Sequence, residues 1–317
     1  MAVYTQVSAE AAQALLKHYD VGRLIALKGI AEGVENSNYL LETDQARFIL
    51  TLYENRVDPA DLPYFHAMLA HLHSAGARVP RFIEDREGEW LQDVAGRKAC
   101  LIEFLAGVSV SAPDGAIAHK VGEALGKMHS ALSGFAESRP NPLGLKAWRP
   151  FFARCDELAT EALFPGLTAR IASELEYLET HWPDDLPQSA IHADLFPDNV
   201  LILDGEVTGL IDFYFACTDA RAYDLAVTHS AWAFSGDGSQ YYDEIGNALV
   251  QGYGERVALS AEECAAIPIL ARGACLRFLL TRLYDWINTP AGALVSRKDP
   301  LAFLRRLDHY SANGLAV

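Results

Sequence analysis

The sequence predicts an α+β fold with two lobes, a small antiparallel-sheet lobe over residues 1–105 and a larger, mainly helical lobe over residues 106–317. In the predicted strands up to about residue 104, the apolar residues alternate with a period of two. After Gly107 they recur with a period of 3.6, as they do in helices. A single hairpin with polar residues at one end interrupts the helical part. Two such lobes enclose a cleft, which is where ligands usually bind.

Composition limits the class of protein. At 317 residues, with 50% hydrophobic and 21% charged residues, the chain can bury a sizeable core in two lobes. The net charge of −16 argues against nucleic acid or anionic membrane as the main partner. The first residues have no signal pattern and no apolar run reaches membrane-spanning length, so we expect a cytoplasmic protein. Five scattered cysteines without a Cys-x-x-Cys pair favour reduced thiols over a zinc site or disulfides.

The small lobe begins with a helix over 8–19, for which Ser8 is a suitable N-cap. A second helix covers 58–76, with its prolines near its start, where a first turn tolerates them. This helix carries three histidines, but no carboxylate completes a metal-ligand set at helical spacing, so we do not predict a metal site there. The predicted strands are 22–30, 39–42, 47–53, 81–84, 90–94 and 98–104.

The larger lobe is predicted to consist of helices around the one hairpin. Its first helix is capped by Ser111 or Asp114 and runs to about Ser133. The long helix over 260–287 contains several arginines and Asp285. The further predicted helices are 148–163, 167–181, 220–234, 240–253 and 296–309.

The hairpin of the larger lobe turns at Asp204-Gly205, a dipeptide that is typical of tight turns. Asn199 begins one strand and Asp212 ends the other, so both lie at the open end, with Asp194 just before. Phosphoryl transfer uses such a set, since one carboxylate takes the proton of the acceptor hydroxyl while an amide and a second carboxylate hold Mg²⁺. An ordinary surface hairpin with polar ends is the alternative.

The motif resembles that of the aminoglycoside-phosphotransferase-like kinases, which are relatives of the protein kinases. It stands here as His192-x-Asp194-x-x-x-x-Asn199, followed by Ile211-Asp212-Phe213. The resemblance spans nearly the whole chain and implies a two-lobed protein-kinase-like fold that uses ATP and Mg²⁺. It implies Asp194 as the catalytic base, with His192 holding the loop, and Asn199 and Asp212 as Mg²⁺ ligands.

Four segments are most similar to the homoserine kinases of this family, namely 32–39, 48–54, 277–285 and 298–307. This similarity implies that L-homoserine is phosphorylated on its side-chain hydroxyl for threonine biosynthesis. Asp224 is implied to brace the loop that carries Asp194. The resemblance leaves open a monomer or a homodimer.

The resemblance also implies a nucleotide site. Gly33, Asn36, Ser37 and Asn38 lie in a loop between two strands whose backbone N–H groups could cover phosphates, although most such loops are only turns. Adenine would meet the linker at Glu103 and Leu105. The third strand carries Thr51 where many relatives have Lys or Arg, and the Glu that pairs with that cation falls near Phe65. Lys28 or Arg47 are candidates to compensate for the missing cation.

An amino-acid substrate needs a cation for its carboxylate and an anion for its ammonium group. Arg277 and Arg282 are candidates for the first. Asp285, Asp219 and Tyr214 are candidates for the second and for the wall of the site. A solvated helix face or an ion pair explains each arginine equally well.

Two other functions fit the same motif. One is a kinase of the same fold that acts on another small hydroxyl acceptor, such as choline, ethanolamine, methylthioribose or an aminoglycoside. The other is a nucleotide-binding module without catalysis, which the missing strand cation would suggest. Retention of Asp194, Asn199 and Asp212 argues against the second.

Overall fold

The computed structural model describes residues 4–30, 36–54, 57–289 and 297–315. Its N-terminal part is a five-stranded antiparallel sheet in the order β1-β2-β3-β5-β4, with helices α1 and α2 packed against it. Ser8 caps α1 as predicted, because its side chain accepts a hydrogen bond from the amide of Ala11. The elements are α1 Ala9–Leu16, β1 Leu24–Gly29, β2 Ser37–Thr43, β3 Arg47–Leu52, α2 Leu62–Ser74, β4 Gln92–Val94 and β5 Arg97–Glu103.

The two faces of this sheet pack against different neighbours. Leu50 and Leu101 point to one face and pack with α1. Ile49 and Cys100 point to the opposite face and join the core that includes α2 and the larger lobe. Because side chains alternate along a strand, Thr51 shares the second face with Ile49. The third strand therefore presents Thr51 to the interior between the lobes, where it is buried.

The larger part of the chain is mainly helical and centres on the longest helix, α9, which packs against α4, α6, α7 and α10. Helices α3 and α8 pack at close range because Gly122 has no side chain; a Cβ there would stand 2.0 Å from the carbonyl oxygen of Leu249. The helices are α3 Gly115–Ala131, α4 Leu145–Phe152, α5 Glu157–Leu163, α6 Leu167–His181, α7 Arg221–Trp232, α8 Asp243–Gly254, α9 Ala261–Asn288 and α10 Leu301–Asn313.

Short strands connect these helices. β6 Val108–Ser109, β8 Val200–Leu203 and β9 Glu206–Leu210 form a three-stranded sheet, and β7 Gln188–Ile191 pairs with β10 Cys217–Ala220. The predicted hairpin is confirmed as β8–β9, with Asp204 and Gly205 both at positive φ in its turn. Val200 pairs with Leu210, so the residues just outside the pair, Asn199 and Ile211, are neighbours at the open end.

Some predicted elements differ from the structure. The single helix over 148–163 is two helices, α4 and α5, since Asp156 caps a new helix by accepting a hydrogen bond from the amide of Ala159. The strand over 81–84 is only one bridge, between Phe82 and Ile102. The last helix begins at Leu301 after Pro300, and residue 296, where we expected its start, lies outside the described residues.

The expectation that no apolar run reaches membrane-spanning length is wrong for α9. This helix is long and apolar enough to cross a membrane by length and composition alone. However, 67% of its most apolar stretch is buried inside the protein. Its apolar side chains therefore serve the core of the larger lobe, as the central helix of a globular protein does.

Candidate active site

The loop over 192–199 lies between β7 and β8 and is fixed first by His192. The imidazole is fully buried, and its Nε2 lies 3.0 Å from the carbonyl oxygen of Ile211. The amide of Asp194 donates to Nδ1 at 3.2 Å, so Nε2 carries the ring proton and donates it to Ile211. Burial lowers the pKa of His192, which keeps the ring neutral. His192 thus ties the loop to the strand end that carries Asp212.

Asp224, at the start of α7, holds the same loop from behind. Its carboxylate accepts from the amide of His192 at 2.8 Å and from the amide of Ala193 at 2.7 Å. It also lies 3.0 Å from Nε2 of His129, whose Nδ1 meets the hydroxyl of Tyr253 at 2.9 Å. Burial alone would raise the pKa of Asp224, but its interaction with the His129 ring and the hydrogen bond from the His192 amide outweigh burial and hold the pKa low. Asp224 is therefore a buried carboxylate that orders backbone amides.

Ala193 has a left-handed backbone with φ of 62°, which a non-glycine residue rarely adopts. The guanidinium of Arg277, from α9, donates a hydrogen bond to the carbonyl of Ala193. Arg277 is only 2% exposed and lies over the rings of Phe278 and Phe215, at 4.5 and 5.3 Å from their centroids. This position does not bring Arg277 to the cleft, so its expected role with a substrate carboxylate is corrected to support of the 192–199 loop.

The predicted metal ligands lie together at the open end of the hairpin. Asn199 uses its Nδ2 to donate to the carbonyl of Asp194 at 2.8 Å and to the Asp194 carboxylate at 3.3 Å. This leaves Oδ1 of Asn199 as an acceptor. The amide of Ile211 donates to the carbonyl of Asn199 at 3.0 Å, which brings the next residue, Asp212, to the same end. The three residues that the sequence singled out are therefore brought to one place.

Asp212 has the electrostatics of a cation ligand. It is exposed in the cleft and has φ of 66°. Although the residue is accessible from the cleft, the protein around its carboxylate restricts hydration and raises its pKa to about 6, with a smaller contribution from Asp198, while Lys298 lowers it. Among the residues that the structure describes, no group of three or more His, Cys, Asp or Glu side chains is placed to hold a metal ion. An amide oxygen and one carboxylate still fit Mg²⁺, which usually takes one or two carboxylates together with phosphates.

The base of the predicted phosphate loop is ordered by side chains, while Gly33 lies outside the described residues. Ser37 is buried; its hydroxyl accepts from the amide of Tyr4 and donates to Glu54 at 2.7 Å. Asn36 is also buried, and its side chain accepts from the amide of Glu54 at 3.4 Å.

Tyr214 was expected in the substrate wall, but the structure places it between the lobes. Its hydroxyl lies 3.3 Å from that of Tyr53, and its ring packs edge-on against Tyr53 and Phe65, with centroids 5.4 and 5.8 Å apart. Beside it, the hydroxyl of Thr51 donates to Asn38 at 2.8 Å. Uncharged rings and hydroxyls therefore occupy the place where the sequence resemblance led us to look for a strand cation and a helix Glu.

The linker side of the cleft holds Glu103 and Leu105. Glu103 forms an ion pair with Arg81 at 3.1 Å, and Leu105 packs over β9, where a Cβ on Gly209 would come within 2.6 Å of it. Arg47 stacks on Phe104 at 5.5 Å from the ring centroid. The linker also lines a cavity of about 440 Å³ with Ala46, Arg47, Phe48, Arg81, Ile83, Glu103, Phe104 and Ala106.

The remaining substrate candidates separate into two groups. Asp219 is engaged on β10, where it accepts from Asn141 and from the amide of Ala220, both at 2.7 Å. Arg282 is half-buried, donates to the carbonyl of Asp299 at 3.3 Å and lies 4.5 Å from the ring centroid of Phe303. Burial lowers its pKa to about 10, whereas the nearby Asp194 and Asp198 act to raise it. Asp285 lies three residues further along α9, so it shares a face with Arg282.

Sequence reasoning missed two residues of this region. His129 lies on α3, far along the chain from Asp224, and only the fold brings the two together. Lys298 lies within a segment that the sequence singled out only for its similarity to kinases. Its ammonium group is 3.4 Å from the Asp198 carboxylate and 5.8 Å from the ring centroid of Phe196, so it lies over the 192–199 loop.

Comparison with known sequences identifies the family of the chain. Residues 26–259 match the phosphotransferase enzyme family. The chain is 51% identical over 307 residues to a homoserine kinase of Methylobacterium radiotolerans, a match that covers 97% of this chain and 95% of that protein. It is 49% identical over 314 residues to a homoserine kinase of Gluconobacter oxydans, with 98% and 99% covered.

Solved structures confirm the predicted fold class. An amicoumacin kinase in complex with AMP-PNP and Ca²⁺ superposes with a TM-score of 0.72 at 13% identity, covering 96% of this chain and 93% of that one. A microcompartment-associated aminopropanol kinase has a TM-score of 0.65 at 20% identity, covering 97% and 99%. At such identities the likeness concerns the fold alone.

Proposed function

The chain belongs to the phosphotransferase enzyme family and to its homoserine kinases, and we propose that it transfers the γ-phosphoryl group of ATP to the side-chain hydroxyl of L-homoserine. The product is O-phospho-L-homoserine, for threonine biosynthesis. The single observation that carries the assignment of residues is the meeting of Asp194, Asn199 and Asp212 at one end of the hairpin.

Asp194 is the proposed catalytic base. It stands on the 192–199 loop, whose backbone is ordered by His192 and Asp224, and its carboxylate is steadied by the Asn199 amide at 3.3 Å. Asp194 orients the substrate hydroxyl and takes its proton. The hydroxyl oxygen then forms a bond to the γ-phosphorus while the bond to the β,γ-bridging oxygen breaks, and ADP leaves with that oxygen.

Asn199 and Asp212 would hold Mg²⁺ through the free Oδ1 of the amide and through the carboxylate. The ion, when bound, neutralises charge on the phosphates. Asp212 is suited to this because it is accessible from the cleft, and because restricted hydration raises its pKa to about 6 despite the opposing influence of Lys298, so that the carboxylate would gain from a bound cation. Adenine would lie beside the linker at Glu103 and Leu105, under the loop that includes Asn36 and Asn38.

Arg282 is the proposed partner of the substrate carboxylate. Its guanidinium lies close enough to Asp194 and Asp198 to be influenced by both, and it stacks on Phe303 instead of being solvated. Asp285, one helical turn away, would meet the substrate ammonium group. A small zwitterion would then be held at both ends, with its hydroxyl directed to Asp194.

We further propose residues 1–105 as the nucleotide-binding lobe and residues 106–317 as the lobe with the substrate site. The enzyme would act in the cytoplasm on a small-molecule substrate, as a monomer or homodimer, with neither nucleic acid nor membrane as a partner. The net charge of −16 supports this, because nucleic acid and anionic lipids would be repelled.

An ADP-release assay with a panel of hydroxyl acceptors tests the proposed function. At saturating ATP and Mg²⁺, we expect turnover with L-homoserine and little with choline, ethanolamine, methylthioribose or an aminoglycoside. Turnover with choline and none with homoserine would refute the substrate. Acceptor-independent ADP release alone, or none, would favour a nucleotide-binding module.

A further inference from the structure

The third strand, β3, provides no positive charge for the ATP phosphates at Thr51. Thr51 occupies the place of a cation that would meet the ATP phosphates, and Tyr53, Phe65 and Tyr214 fill the space around it. Arg47 cannot replace that cation, because it is held on Phe104 at the linker, four residues or roughly 13 Å from Thr51 along the strand. Lys28 lies on the edge strand β1 opposite Leu40 and is separated from β3 by β2.

Lys298 brings a positive charge to the reacting residues from the other end of the chain. Its Nζ is 3.4 Å from Asp198 and 5.8 Å from the ring centroid of Phe196. Both partners lie on the stretch between Asp194 and Asn199, that is, between the proposed base and the first proposed metal ligand. The ammonium group is also close enough to Asp212 to lower the pKa of that carboxylate. Lys298 therefore lies beside the loop that carries the proposed base and the first proposed metal ligand.

The backbone that carries Lys298 is anchored, whereas its side chain can move. The next residue, Asp299, accepts from Arg282 through its carbonyl at 3.3 Å and from the amide of Leu301 through its carboxylate at 2.9 Å. The side chains of Lys298 and Asp198 are 55% and 61% exposed, and an ion pair this exposed contributes little to the stability of the fold. The ammonium group can thus leave Asp198 for a stronger anion.

We propose that Lys298 contacts the transferring γ-phosphoryl group, supplying from the C-terminal segment the positive charge that Thr51 does not supply from the sheet. This assignment rests on the proposed kinase function. Lys298 and Arg282 then have different ligands, the nucleotide for Lys298 and the substrate carboxylate for Arg282. Lysine suits the nucleotide, because a single mobile ammonium can follow a phosphoryl group as it moves between oxygens. The planar guanidinium of Arg282 suits a carboxylate that stays in place.

Binding measurements on the full-length protein separate these two roles without turnover. We expect Lys298→Met to weaken a non-hydrolysable ATP analogue by about 10- to 100-fold in the presence of Mg²⁺, since a hydrogen bond to a charged group is lost. ADP lacks the γ-phosphate and should bind Lys298→Met and wild type alike. Arg282→Met should show the reverse pattern, with weaker homoserine binding and unchanged binding of the ATP analogue.

Arg297→Met is the matched control, because Arg297 is the neighbouring exposed cation but stacks on Trp286, at 4.5 Å from its ring centroid. This variant should leave all three affinities unchanged. An equal loss of ADP and ATP-analogue binding in Lys298→Met, or a loss confined to homoserine, would overturn the assignment. Acceptor turnover by the wild type is a separate readout: if homoserine is not phosphorylated but Lys298→Met still loses selectivity for the ATP analogue, the proposed substrate fails and the role of Lys298 stands.

Discussion

The charged groups on the two sides of the 192–199 loop differ in burial and in how completely they are paired. Behind the loop, the buried carboxylate of Asp224 is matched by two backbone amides and by His129. In front of it, Asp194, Asp198 and Asp212 share the cleft with Arg282 and Lys298, and the ion pair of Lys298 with Asp198 is an exposed contact of 3.4 Å.

This difference suggests that the rear residues position the loop, whereas the front residues act on the ligands. A buried and fully bonded group is costly to change and cannot follow a substrate, so the rear side sets where the loop lies. Substitution of a partly solvated charged group without a fixed partner changes the stability of the fold little. Such a group interacts most strongly when a ligand of opposite charge binds. Substitutions on the front should therefore affect turnover and binding, and substitutions on the rear should affect stability and turnover together.

Asp194→Asn should give the largest effect on turnover. Removal of the proton acceptor is expected to lower kcat by about 10²- to 10⁴-fold, because general-base catalysis contributes about that factor. Affinity for an ATP analogue and the free energy of unfolding should stay close to wild type. Rapid-quench kinetics, nucleotide titration and urea unfolding measure the three quantities. Turnover near the wild-type rate would remove Asp194 as the base.

Asp224→Ala should give the largest effect on stability. The change leaves two backbone amides and His129 without their acceptor in a buried place, and loss of one partner of a buried pair costs about 3–5 kcal/mol. Urea unfolding of the ligand-free enzyme measures this loss. The milder Asp224→Asn keeps one acceptor oxygen and should retain part of the stability if the Ala variant does not fold. Wild-type stability in both variants would show that the rear side is not needed to hold the loop.

The sequence singled out residues that lie close together in the chain, but it missed contacts between distant elements. Asp194, Asn199 and Asp212 are close in the chain, and a two-residue turn fixes their common end, so local rules suffice. His129 and Asp224 are 95 residues apart, and their contact depends on how α3 packs on the larger lobe. Local patterns carry no information about such a contact.

The arginines of α9 show the same limit within a single helix. Arg277 and Arg282 are five residues apart, and the sequence made both of them candidates for the substrate carboxylate without distinguishing them. In the structure Arg277 is 2% exposed beneath Ala193, while Arg282 reaches toward the cleft. Nearly all neighbours of Arg277 on α9 are buried, so the helix shows little periodicity from which its register can be derived.

Asp212→Asn tests whether the raised pKa of Asp212 makes the stability of the protein depend on pH. The pKa of Asp212 is about 6 in the folded protein against an ordinary 3.8, so ionisation of this group opposes folding, and the penalty develops as pH rises from about 4 to 6. The Asn variant should therefore melt about 2 °C above wild type at pH 8 without ligands. The gain should vanish at about pH 3 and below, where Asp212 is protonated in both the folded and the unfolded wild type. Thermal melts across this range measure the trend, and a gain that is constant with pH would exclude Asp212 as its source.

Tyr253→Phe should give the smallest effect and probes how far the rear network extends. The hydroxyl of Tyr253 meets His129 at 2.9 Å, and the loss of one such hydrogen bond lowers the free energy of unfolding by about 1 kcal/mol. Tyr310→Phe is the matched control, because Tyr310 meets the buried His229 at 2.6 Å, away from Asp224. Both variants should lose similar stability in urea unfolding, but only Tyr253→Phe should lower kcat, by about 2- to 3-fold, since a few tenths of a kcal/mol of coupling would pass through His129 and Asp224 to the loop. Equal kcat values in the two variants would show that Tyr253 does not help to position Asp194, so that the positioning network extends no further than His129.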